Sequence, residues 1–146
     1  MAVTSVQTPL AVDRAALQDS LERTRAAFHR LVAEIGDGRW DEKSHRSKWT
    51  LGEVLVHLTW ALEQLPKEVE MARQGRGMFN MPGWIADPGS YWITRWLARK
   101  SNARAILFRY DAAMDAAIAA LATVPDSDWE LGAPFYGHGF HSVVRL

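Results

Sequence analysis

Residues 49–58 read Trp49-Thr50-Leu51-Gly52-Glu53-Val54-Leu55-Val56-His57-Leu58, and the way this stretch folds decides the rest of the chain. Thr50 and Glu53 have the spacing of a capping box, in which the threonine oxygen accepts from the Glu53 N–H and the glutamate reaches back to the Thr50 N–H. Trp49 before the cap and Val54 inside it stand where a hydrophobic staple fixes the entry of the chain. A helix that starts this firmly holds His57 two turns from a rigid end. On a wheel of about 100° per residue, Leu51, Val54, Leu58, Ala61, Leu62 and Leu65 share one side, and His57 falls at its edge beside Glu53, Trp60 and Gln64. The imidazole is therefore expected on the seam between core and solvent. One reading is a partly buried histidine hydrogen-bonded to a neighbouring helix, as buried polar groups generally are. The other is a metal ligand or an acid–base group, because imidazole is a common metal ligand and titrates near neutrality.

Outward from this stretch the pattern stays helical. Leu17, Leu21, Phe28, Leu31 and Ile35 recur at helical spacing between Asp13 and Ile35, with Asp13 as N-cap, or Thr8-Pro9 starting the helix a turn earlier, and Gly36 with Gly38 as terminator. His29 on that helix has no acidic or histidine partner one turn away and reads as a surface residue. Residues 37–48 are a polar connection anchored by Trp40, and His45 sits there among Lys43, Arg46 and Lys48, a neighbourhood that disfavours a cation. The helix begun at Leu51 runs toward Arg73, but Pro66 removes a backbone donor, so a kink or break is expected near Leu65. Residues 76–90 are rich in glycine and proline and read as a long loop, of the kind that often carries function.

A short helix over Tyr91–Arg99 is expected next, then a longer one capped by Ser101 or Asn102 and running to about Ala122, with Leu107, Tyr110, Met114, Ala117 and Leu121 on one stripe. Asp111 and Asp115 lie one turn apart on it and read as a solvated edge. After the irregular stretch around Trp129, residues 141–146 look like the opening of a further helix.

Composition bounds the function. The 146 residues fit a single domain, 1–146, with 48% hydrophobic and 23% charged residues, the balance of an ordinary globular chain. Seventeen basic residues offset seventeen acidic ones, which removes any global electrostatic case for nucleic acid or an anionic membrane; neither is expected as a partner, and any anion site must be local. With no cysteine, the chain has no thiolate ligand and no thiol nucleophile. No window approaches the roughly 18 apolar residues of a membrane span, and Met1–Pro9 lacks the pattern of a signal peptide, so a cytoplasmic protein is expected. Arg95, Arg99, Lys100 and Arg104 interleave with Trp84, Trp92 and Trp96. Arginine beside aromatic faces suits a carboxylate or phosphate, and Arg95, Arg99 and Trp92 are the candidate cofactor-binding residues, although ordinary helix surface gives the same pattern.

The 49–58 stretch, Trp129 with its Gly/Pro loop, and the order and lengths of the helices together resemble the DinB-like superfamily, which includes thiol-dependent transferases and the maleylpyruvate isomerase N-terminal domain. The resemblance implies an all-α four-helix bundle, here with its fourth helix short or missing. It also implies a divalent metal, zinc or nickel, bound by a histidine on the second helix and two on the last. His57 matches the first; no residue matches the other two. His138 and His141 precede the place of that helix, but two imidazoles three residues apart on a glycine-rich backbone could complete with His57 the three ligands of a catalytic site. Glu53 is a candidate to orient the His57 ring. The implied activity is a metal-dependent transferase or isomerase using mycothiol or bacillithiol, with a small-molecule thiol or electrophile as partner. The alternative is a non-enzymatic helical binding protein, with an uncovered apolar face that favours a homodimer.

Overall fold

The computed structural model describes residues 12–77, 83–134 and 140–142, and within these the side chains of 83–87, 133, 134 and 140–142 lie outside the description. Four helices dominate: α1 (Arg14–Ile35), α2 (Leu51–Arg73), α3 (Gly83–Ala98) and α4 (Ala103–Ala122). Three of them have a visible cap that starts them where they begin. The Asp13 carboxylate accepts from the Ala16 N–H at 3.0 Å to cap α1, and Gly36, at φ 55°, ends that helix in a conformation that favours glycine. Thr50 and Glu53 form both arms of the capping box that opens α2. Asn102 caps α4 through the Ala105 N–H, while Asp37 reaches across from the α1–α2 connection to accept from the Ala103 N–H at 2.9 Å.

The packing is centred on α2, whose most extensive neighbour is α4; α1 packs on α4, and α3 packs on the other flank of α2. Phe28, Val32, Leu55, Val56, Ile106, Tyr110 and Met114 form the main core, closed at one end by Trp40. A second cluster joins Val69 and Ala72 of α2 to Val124 and Trp129. Arg14 straps the start of α1 over it, with its guanidinium 5.4 Å from the Trp129 ring and 2.7 Å from Asp126. Trp40 anchors its loop as the sequence predicts. Its indole fills the space where a Cβ on Gly52 would stand, only 2.3 Å from Cε2, and its carbonyl accepts from the Gly52 N–H.

Four expectations are corrected. The α2 helix continues through Pro66 without a break, because Leu65 before the proline and Val69 and Ala72 beyond it are held by the Trp129 cluster and tertiary packing outweighs one lost donor. The buried side of α2 is also turned from the wheel's prediction: Leu55, Val56 and Thr59 are fully enclosed, whereas Leu58 is 44% exposed. The stretch is apolar nearly all round, so its own period did not single out a face. The expected loop over 76–90 is helical from Gly83 onward, with Pro88 inside α3; the glycines and prolines there favour a loop locally, and nothing in the described packing of residues 83–87 explains the helix. Finally, residues 141 and 142 do not open a helix. Gly132–Pro134 (β1) and Phe140–Ser142 (β2) pair antiparallel, with Ala133 opposite His141, and β1 packs beside α2. Aromatic Phe140 suits strand as well as helix, and the pairing with Gly132–Pro134 decides. No helix among the described residues is long and apolar enough to cross a membrane.

Candidate functional site

The first turn of α2 and the middle of α3 build one constellation around His57. The Thr50 Oγ1 accepts from the Glu53 N–H at 3.2 Å, and the Thr50 N–H donates to Glu53 Oε2 at 2.9 Å. The other oxygen of the same carboxylate, Oε1, lies 3.1 Å from Arg95 Nε of α3. That contact is an ion pair rather than an aligned hydrogen bond, since Nε is buried without a hydrogen-bond partner. Glu53 is thus a cap on one side and a bolt between helices on the other. Arg95 donates through Nη1 to the Tyr91 hydroxyl at 3.1 Å, and its guanidinium lies 5.4 Å from the Tyr91 ring centre. Lys48 places its ammonium 4.3 Å from the same ring.

Aromatic rings lead from that charged edge to the imidazole. Tyr91 and Trp49 lie nearly parallel with centres 6.3 Å apart, the Trp49 ring is 4.5 Å from that of His57, and Trp60 flanks the imidazole at 6.2 Å. Thr94, only 3% exposed, holds its hydroxyl 3.5 Å from His57 Nδ1, a long contact by hydrogen-bond standards. His57 is half-buried, and burial pushes its pKa below the ordinary value of 6.5, because a low-dielectric surrounding penalises the imidazolium. The ring is neutral at pH 7. In the tautomer whose Nδ1–H donates to the Thr94 hydroxyl, Nε2 carries the lone pair that binds a metal or accepts a proton.

The profile of the DinB superfamily matches residues 20–145. The chain belongs to the DinB superfamily. No curated protein and no solved structure matches it. This DinB-superfamily chain brings some of the sequence-predicted site residues together and leaves others apart. His57 stands at the centre of the ring cluster and Arg95 at its charged edge. Trp92 is 64% exposed and Arg99 is exposed on the outer side of α3; the Arg95 guanidinium lies 5.9 Å from the Trp92 ring centre, and of the three candidate cofactor residues Arg95 alone pairs with Glu53 beside the His57 cluster. Glu53 does not meet the imidazole; its carboxylate is occupied by the cap and Arg95, and Thr94 faces the ring instead. His138 lies outside the described residues. The His141 backbone is in β2, and its side chain lies outside the description. Among the described residues no group of three histidine, aspartate or glutamate side chains gathers as a metal centre would require.

The remaining histidines are placed plainly. His45 is exposed, as expected. His29 does have an acidic partner, on another helix: its Nε2 is 2.7 Å from Asp111 Oδ1, and Arg25 reaches Asp115 one turn away at 2.5 Å. Asp111 and Asp115 therefore tie α4 to α1 rather than forming an unengaged edge. Thr94 and Tyr91 were missed in the sequence because they meet His57 and Trp49 across 37 and 42 positions; only the repeat of aromatic residues through α3 hinted at them.

Proposed function

We propose that this chain is a divalent-metal-dependent transferase or isomerase acting with a low-molecular-weight thiol, with His57 as a metal ligand. The observation that carries this reading is the half-buried, neutral imidazole on a rigidly capped helix inside a ring of aromatic side chains. His57 fits one position of such a site. The described residues do not complete it, so zinc or nickel would have to be held with His138 and His141. When bound, the metal would lower the pKa of a thiol so that thiolate is present at neutral pH; with no cysteine in the chain, the thiol is a separate molecule such as mycothiol or bacillithiol. The chain's own residues do the rest. Trp49 and Trp60 shield the imidazole from water, Thr94 orients it, and Lys48 and Arg95 over Tyr91 offer positive charge to a carboxylate on the thiol or the electrophile.

Metal content tests the reading. Stoichiometric zinc or nickel is expected in the purified chain and is expected to be lost in His57→Ala. Metal absent from both proteins overturns the proposal and favours the second reading, a helical binding protein without chemistry.

A further inference from the structure

The outer side of α3 lies away from the core, and only Arg95 and the edge contact of Trp92 with Tyr91 join it to the His57 constellation. Trp92, Arg95, Trp96 and Arg99 fall at i, i+3, i+4 and i+7, which places them on one stripe, with Ile93 and Lys100 alongside. Trp92, Ile93 and Trp96 are 64%, 52% and 56% exposed. The opposite side of the helix is fixed to the fold by Thr94, Leu97 and Ala98. Cations are woven through the apolar stripe: Lys100 Nζ lies 4.1 Å from the Trp96 ring centre, and the Arg95 guanidinium 5.9 Å from that of Trp92. The wider sequence shares the bias. From Pro88 to Tyr110 there are five arginines and lysines and no aspartate or glutamate, in a chain with no net charge. Arg95 and Arg109 are answered by Glu53 and Glu63, whereas Arg99 and Lys100 have no ion pair among the described residues.

We propose that this face of α3 docks on an anionic lipid surface, with Trp92, Ile93 and Trp96 entering the headgroup boundary and Arg99 and Lys100 meeting lipid phosphates. Tryptophan is the side chain that best suits that boundary, with an apolar body and a polar N–H, and long cationic side chains lay their stems on apolar surface while their heads reach phosphate. The helix lies on the bilayer rather than crossing it. A second copy of the chain fits less well. A two-fold contact through this face would set the cations Arg99 and Lys100 of one copy against those of the other, with no acidic residue between Pro88 and Tyr110 to answer them. Single-stranded nucleic acid fits less well too, because stacking needs open indole faces and Lys100 and Arg95 lie over these.

Co-sedimentation of the full chain with vesicles tests the proposal. Binding is expected to vesicles of equal phosphatidylglycerol and phosphatidylcholine, with a blue shift in tryptophan emission, and not to phosphatidylcholine alone. Arg99→Gln with Lys100→Gln should weaken binding by about fivefold per charge removed, and Trp92→Ala with Trp96→Ala should abolish it. All four positions are exposed, and an unchanged circular dichroism spectrum and melting midpoint confirm that the variants fold. Equal binding to both vesicle types, no binding to either, or binding that survives the paired tryptophan change overturns the proposal. So does a chain that ignores vesicles but forms a dimer which the tryptophan variant dissolves.

Discussion

Two seams cross this bundle, and they are built in opposite ways. Between α1 and α4, Phe28 and Tyr110 stack with ring centres 3.6 Å apart, and Arg25 and His29 are answered by Asp115 and Asp111. Between α2 and α3, rings gather around an imidazole whose hydroxyl neighbour stands at 3.5 Å, and the Trp49 indole N–H is buried without a hydrogen-bond partner. The first seam answers its charges with carboxylates: even Arg25 Nε, buried without a hydrogen bond, lies 3.1 Å from Glu22, whereas a buried polar group with no partner of either kind costs about 1–3 kcal/mol. The second seam leaves hydrogen-bonding capacity unspent beside a half-buried titratable group. The contrast is between a seam closed by ion pairs and one lined by rings around a titratable group.

The largest test of that contrast is a pair of truncations. Phe28→Ala should cost about 3–5 kcal/mol, because it removes a buried ring from a closed core, whereas Tyr91→Ala on the partly exposed second seam should cost less than half as much; equal losses in urea melts would erase the distinction. Next comes Gly52→Ala, whose new methyl meets the buried Trp40 indole and should cost about 1–3 kcal/mol by overpacking, read as a lowered melting midpoint with altered tryptophan emission. Thr50→Ala removes an arm of the capping box and should cost about 1 kcal/mol, with Thr50→Ser restoring most of it. His29→Gln touches an ion pair that is 42% and 37% exposed and should move stability by less than about 1 kcal/mol.

The smallest effects are in pH, and they differ in sign between the seams. Burial holds the folded His57 pKa below its ordinary value, so the unfolded chain binds the proton more readily; stability is whole above about pH 6.5 and falls as pH drops through the folded value. Burial raises the Tyr110 pKa above 10.0, so its contribution is whole below that value and is lost as pH rises through the folded pKa. Melts of His57→Leu should show a flatter acid limb with the alkaline limb unchanged, and Tyr110→Phe the reverse.

Much of this was legible in the sequence because it is local. The Thr50–Glu53 box, the Asp13 and Asn102 caps, the Gly36 stop and the buried stripe of α4 depend on residues within a turn or two of one another. What escaped depends on distance. The His29–Asp111 pair, Thr94 against His57 and the continuation of α2 past Pro66 are decided by elements tens of residues away, and the strand Phe140–Ser142 by its pairing with Gly132–Pro134. The turned face of α2 is a separate case. A helix clasped on both flanks is apolar around most of its circumference, and periodicity then has no contrast to read.

Glu53 carries one further implication. Because a single carboxylate closes the first turn of α2 and also pins α3 through Arg95, detachment of α3 and fraying of that turn are one event. Amide hydrogen exchange should show it: protection at the Thr50 N–H and along the α3 backbone should rise and fall together, and Arg95→Met should release both while leaving the amides of α1 and α4 as slow as before.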